Sequence, residues 1–356
     1  MSLKRVGSAA AAAVVLLLGV YAGFLGHRSR HPVSLAPSGP YPVGRAAQEI
    51  ADRSRTDELA PLGGNPRVLS VWLWYPAASR GSTAAYAPGP WAGLRRFGWG
   101  QTTFSRVTTG TYADVPFADG TFPLVVLLPG LGLSAPQYQA LAASIASRGY
   151  VVAGVTPTYS AGLSVIGGNA VRSSAAGEML SGPGAARLAA VWAADAQFAA
   201  RQVGVLLGTH VNLRQVVYAG HEFGGAVALE ACRADAACVG AADLDGAPSG
   251  KVVSAGLQRP LLMLGSPLSP TGQSLLAASG RSAWAYTIAG ARSYDFTDYA
   301  AYWLAAPVRA ALPLGNPRAL AIAGDYLAAF LPVAVQGATW RPPSISGVRE
   351  ADMLSR

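Results

Sequence analysis

Short, nearly uninterrupted apolar runs, each closed by a turn signal, recur through this chain and constrain its fold more than any other feature. Leu124–Leu128, Tyr150–Val155, Val216–Ala219, Val239–Leu244 and Leu261–Leu264 are too short to be helices. Runs of that kind are strands buried on both faces. Trp284–Ile288 follows as a further strand, and the β-rich Arg67–Tyr75 stops at Pro76. Between and after them lie helical stretches: the Ala-rich Gln139–Ser147 closed by Gly149, the long Leu188–Leu207, and Ala319–Leu331. Strands alternating with helices predict an α/β fold, a mostly parallel central sheet with helices on both faces. The stretch from Arg80 to Gly120, rich in Gly, Ser, Thr, Pro and aromatic residues, is expected to run over the surface, and the tail after Trp340 to be loosely ordered.

Composition removes several classes. With 51% hydrophobic and 13% charged residues the chain is not disordered. It holds 42 Gly and 25 Pro without a G-X-Y period, which excludes collagen. The net charge is +9, but no block of basic residues is interleaved with aromatics, so no nucleic-acid partner is expected. The two cysteines, Cys232 and Cys238, form no C-x-x-C and no Cys/His cluster. No metal and no cofactor is implied.

The N-terminus is a membrane signal. Lys4 and Arg5 precede an uncharged stretch from Val6 to Gly26 centred on Val14–Leu18, and Arg28 and Arg30 follow it. A basic flank and an apolar run mark residues 1–31 as a cleaved signal peptide, with Val20-Tyr21-Ala22 as a cleavage site, or as a retained anchor. A Pro-rich tether (32–44), the main domain (45–337) and a C-terminal tail (338–356) come next. The bulk of the protein is therefore expected to be exported, secreted or membrane-anchored, with the membrane contacted through the N-terminal segment. In that compartment Cys232 and Cys238 are expected to pair, two free buried thiols being the alternative.

Between the strand at Val216–Ala219 and the next helix stands Gly220-His221-Glu222-Phe223-Gly224-Gly225. This has the frame of the G-x-S-x-G nucleophile elbow, in which glycines let strand and helix approach while the central side chain projects. Together with YPVGRAAQEIADRSRTDELAP, RVLSVWLWYPA, LPGLG, ASRGYVVAGV, LDGAP and TIAGARSYDFTDY, it makes the chain resemble the secreted α/β-hydrolases related to platelet-activating-factor acetylhydrolase and to bacterial lipases and cutinases. The resemblance implies an α/β-hydrolase fold and an esterase-type site. It implies oxyanion-hole amides at Leu131 and Phe223, a triad acid at Asp245 with Asp243 as competitor, and a triad base at the position of Ser293.

Here the chain departs from the pattern. Glu222 stands where the serine nucleophile belongs and Ser293 where the histidine belongs. His27 and His31 lie in the anchor region, His210 precedes the elbow strand, and His221, second in the elbow, is expected to pack rather than react. A Ser-His-Asp triad needs both a nucleophile and a base. The expected function is a degenerate member without esterase turnover that keeps a pocket for a lipid or ester ligand, its protein partner unknown. One alternative is a hydrolase of unusual mechanism centred on Glu222, and another is a purely structural or interaction module. Glu222 is further expected to be ionised, its carboxylate held by the amides of Leu131 and Phe223 with its pKa lowered.

Overall fold

The computed structural model describes residues 3–95, 101–302 and 317–351. Its strands are β1 (Val33–Ser34), β2 (Val43–Thr56), β3 (Pro66–Pro76), β4 (Thr83–Ala85), β5 (Val107–Ala113), β6 (Phe122–Leu128) and β7 (Val151–Thr156). They continue with β8 (Ser164–Ile166), β9 (Asn169–Val171), β10 (Val211–His221), β11 (Cys238–Leu244), β12 (Leu261–Gly265), β13 (Ala283–Ile288) and β14 (Val348–Glu350). The helices are α1 (Leu3–Arg28), α2 (Gln139–Ala146), α3 (Gly182–Leu207), α4 (Phe223–Ala234), α5 (Val252–Ala255), α6 (Pro270–Ser279), α7 (Tyr299–Tyr302) and α8 (Pro317–Gln336).

The main sheet runs β1-β5-β2-β3-β7-β6-β10-β11-β12-β13-β14, with β4 added to β5. Its centre, from β7 to β13, is parallel, and β3 and β14 pair antiparallel to their neighbours at β7 and β13. Alternate residues of a strand face opposite layers. In β6, Val125 and Leu127 join the core under α2 and α8, while Leu124, Val126 and Leu128 join the core under α3 and α4. Two buried faces explain why these runs are apolar throughout.

Three expectations need correction, and one strand escaped the sequence reading. The segment 32–44 is no free tether: β1 pairs with β5, and Leu35 is buried. The excursion between Arg80 and Gly120 is built into the domain. It supplies β4 and β5 and buries Tyr86, Trp91 and Leu94, which serve as core; its residues 96–100 lie outside the described residues. The tail after Trp340 returns to the sheet as β14 on β13. Finally, β2, unrecognised because polar residues interrupt it, forms a long antiparallel ribbon with β3.

An ion cluster locks that ribbon to α3. Arg67, 1% exposed, spans Asp57 (3.0 Å) and Asp195 (2.7 Å), and Arg55 also reaches Asp195. Helix α1 stands apart: its window Ala10–His27 has a mean hydropathy of 1.9 and none of it is buried, so it is long and apolar enough to cross a membrane. Helix α8 is nearly as apolar but half buried, which makes it a core helix.

Candidate active site

Register places the site. Gly220 at the end of β10 lies opposite Leu128 of β6 on one side and Asp243 of β11 on the other. The loops after β6, β10, β11 and β13 therefore open at the same carboxyl edge, where ligands bind in sheets of this type. Glu222 sits at the β10–α4 turn with φ 51° and ψ −122°, a conformation costly for a side chain with a Cβ. The turn is possible because its flanks are glycine. A Cβ on Gly220 would lie 2.2 Å from the Gly224 carbonyl oxygen, and one on Gly224 would lie 2.1 Å from that of Pro129. Glu222 N–H donates to the Leu244 carbonyl (2.9 Å), stapling the elbow to β11.

The carboxylate is not where the sequence reading put it. Among the described residues Glu222 accepts no side-chain hydrogen bond, and the amides of Leu131 and Phe223 donate to nothing. Its Oε2 rests beside Gly130, 2.7 Å from the point where a side chain there would begin. Burial pushes the Glu222 carboxyl up to about 7, and the nearby Asp245 charge adds to that. The lowered pKa is thus replaced by a raised one, because the helix N–H groups do not reach the carboxylate while desolvation does.

The two candidate acids separate clearly. Asp245 lies just past β11 at φ 61°, half-buried, and its Oδ1 accepts from Ser266 N–H at 2.6 Å. Asp243 lies within β11, 1% exposed. Its Oδ1 accepts from Gly246 N–H (2.9 Å) and its Oδ2 has no partner. Burial, and after it the Asp245 charge, push the Asp243 carboxyl up to about 8. Asp245 is the acid whose charge reaches Glu222.

Ser293 sits in the loop after β13, with its Oγ buried and unpartnered. Its carbonyl is engaged by His221 Nε2 at 2.7 Å. A carbonyl only accepts, so Nε2 carries the proton and Nδ1 is the acceptor. Nδ1 therefore takes the proton of the Tyr138 hydroxyl (2.8 Å), which itself accepts from Gly130 N–H (2.8 Å). Both ring nitrogens are occupied, the ring packs between Tyr138 and Phe296, and burial drives its pKa down to about 4. The imidazole is neutral and structural: it ties the β6 loop, the elbow and the β13 loop into one unit. The packing role of His221 was legible in the sequence. Tyr138 was not, since nothing local marks a tyrosine that far from the elbow as its partner. Asp298 continues this bracing by accepting from Gln139 N–H, Ala140 N–H and the Tyr86 hydroxyl.

Behind the elbow helix, Cys232 and Cys238 form a disulfide joining the end of α4 to the start of β11. Among the described residues no group of three or more His, Cys, Asp or Glu side chains is placed to hold a metal ion.

No protein-family model and no curated protein sequence matches the chain. Among solved structures it is similar to a ferulic acid esterase from Streptomyces cinnamoneus, with a TM-score of 0.77 and 29% sequence identity over 90% of this chain and 99% of that one. The architecture is the α/β-hydrolase fold, and it is esterase-like.

Proposed function

We propose that this protein is an exported or membrane-anchored relative of the esterases, of the kind seen in platelet-activating-factor acetylhydrolases and bacterial lipases and cutinases, that has lost ester turnover and retains a ligand site at its elbow. The observation that carries the reading is the engagement of the imidazole. The one histidine near the elbow gives both nitrogens to Tyr138 and the Ser293 carbonyl, so no base faces the elbow from the triad-base position. Glu222 offers no hydroxyl to acylate. The unpaired amides of Leu131 and Phe223, in contrast, remain available to a carbonyl or oxyanion, which supports binding of an ester- or lipid-type ligand.

A second reading has its own support. A carboxyl with a pKa of about 7 beside Asp245 is suited to exchanging protons at neutral pH, which favours an acid–base hydrolase centred on Glu222. Turnover of p-nitrophenyl butyrate by the wild type beside Glu222→Ala separates the two. Equal rates, and no labelling by a fluorophosphonate probe, are expected. A wild-type rate well above that of Glu222→Ala would replace the first reading with the second. Restoration of turnover in a Glu222→Ser, Ser293→His double variant would show that the rest of the hydrolytic frame is intact.

A further inference from the structure

Helix α1 enters the domain without a spacer. Its apolar window closes at His27, and Ser29 is already buried at 6% exposure. Ser29 N–H still donates to the Leu25 carbonyl (2.8 Å), so the helical pattern runs into the domain surface. Leu25 packs against the core under α2 and α8, and the Ser29 carbonyl accepts from Thr103 N–H at 2.7 Å. The 18 residues Ala10–His27 rise about 27 Å, close to the thickness of a hydrocarbon layer. A span of that length leaves no slack, so the surface around Ser29 meets the headgroups when α1 crosses a bilayer. Hydrogen bonds tie that surface to the mouth of the site. Thr102 N–H donates to the Tyr302 carbonyl (3.0 Å) and Tyr302 N–H to that of Asp298 (3.2 Å). The Asp298 carboxylate accepts from Gln139 and Ala140 N–H at the start of α2. The start of α2 and the loop after β13 both lie at the carboxyl edge, so α1 is rooted on the edge that carries the elbow.

On the α3 side the same edge carries exposed apolar side chains. Ser70 of β3 pairs with Thr156, the last residue of β7, so the turn between β2 and β3 projects beyond the carboxyl end of the sheet. Leu62 is exposed on that turn, and Met179 and Leu180 are exposed just ahead of α3. Ser174 Oγ donates to the Leu59 carbonyl (2.7 Å) and Arg187 pairs with Glu58, which joins the two segments. Phe223 of the elbow packs against Trp192 of α3 with ring centroids 5.0 Å apart, so the elbow stands between this ridge and the root of α1. Exposed apolar side chains gathered at one edge mark an interaction surface. Arg30 and Arg106, exposed beside the root, suit anionic headgroups. A second exposed group, Val205, Leu206 and Leu213, lies at the opposite edge, where α3 ends and β10 begins.

We propose that α1 is retained as an anchor and holds the elbow edge face-down on the bilayer, with Leu62, Met179 and Leu180 in contact with lipid. The partner of this surface is the leaflet through which α1 enters the membrane. The site then opens on the headgroup layer rather than on bulk water. This goes beyond the reading of the elbow as a ligand site and stands whether or not that site turns over esters, because it rests on where α1 is rooted and not on Glu222.

The test uses full-length protein reconstituted into vesicles of phosphatidylcholine and phosphatidylglycerol. Leu180 and Leu206 are matched in exposure, 53% and 51%, and lie at opposite edges. Leu180→Cys, Leu62→Cys and Leu206→Cys, all at exposed positions, are each labelled with an environment-sensitive fluorophore and checked for a cooperative unfolding transition. Quenching is read with lipids that carry a spin label near the headgroup end of an acyl chain. The labels at 62 and 180 are expected to be quenched about threefold more than the label at 206, since a headgroup-level quencher acts only over the depth of that layer. Equal quenching at the three positions overturns the proposal, and so does stronger quenching at 206, which would turn the opposite edge to the membrane. Wild-type protein from the membrane fraction of an expressing bacterial host supplies an arm without any variant: its intact mass is expected to include α1. A mass that lacks residues 1–22 means a cleaved signal and overturns the anchor. Ester turnover by the same vesicles would sink the non-catalytic reading alone and leave the quenching result to be judged by itself.

Discussion

Replacing Glu222 by glutamine should stabilise the protein at neutral and alkaline pH and confer no pH-dependent advantage in acid. The carboxyl titrates at about 7 in the folded chain against 4.5 for an ordinary glutamate. Between those values the folded state binds more protons than the unfolded one, so stability falls as pH rises. Below the lower value both states are protonated and the penalty is absent; above the upper value it is complete. Each pH unit of the interval is worth about 1.4 kcal/mol, which sets a ceiling of about 3 kcal/mol. Water still reaches part of this half-buried carboxylate, so about 1–2 kcal/mol is the expected penalty. Glutamine keeps the shape and removes the charge. Urea unfolding of wild type and Glu222→Gln at pH 4.5, 6, 7.5 and 8.5 measures it. The stability difference should grow in favour of the variant up to about pH 7 and then level off. A difference that does not vary with pH, or a variant less stable at pH 8 than at pH 4.5 relative to wild type, would refute the argument. The carboxylate would then have to be well compensated, as it would be if it filled the oxyanion hole.

Other outcomes follow from single features of the structure. Denatured, unreduced protein should show no free thiol in a thiol titration, and reducing the Cys232–Cys238 bond should cost about 2 kcal/mol, since the loop it closes is short. Tyr138→Phe should cost about 2 kcal/mol in denaturant unfolding, because it strands the buried Gly130 N–H and leaves His221 Nδ1 without its donor. Arg67→Met should cost about 3–5 kcal/mol, seen as a large drop in the unfolding midpoint, since Asp57 would be left buried without its cation and Asp195 would keep only Arg55.

The layered α/β architecture was legible in the chain because apolar content carries it. A strand buried on both faces is apolar at nearly every position, Asp243 in β11 being an exception, so β6, β7, β10, β11 and β12 stand out as runs. The elbow was legible for a steric reason: strand and helix approach so closely at Gly220 and Gly224 that no other residue fits. That Glu222 stands at the centre of the elbow and Ser293 in the loop after the last parallel strand needed only the frame around them to be seen. What escaped sequence reading depends on partners distant along the chain. Strand β2 is polar on the face that meets water, and its identity comes from the long ladder with β3. The buried Tyr86, Trp91 and Leu94 belong to the core because β4 and β5 carry their segment against it, and no periodicity there announces that. The protonation of Glu222 was misjudged for the same reason. A helix N-terminus favours a carboxylate only if its N–H groups reach the oxygens, and the tertiary structure instead turns the side chain toward Gly130, partly out of water and within range of Asp245. Composition and local sterics depend on neighbours in the chain and can be read there. Desolvation and charge coupling depend on what the fold brings within a few ångströms, and only the folded arrangement decides them.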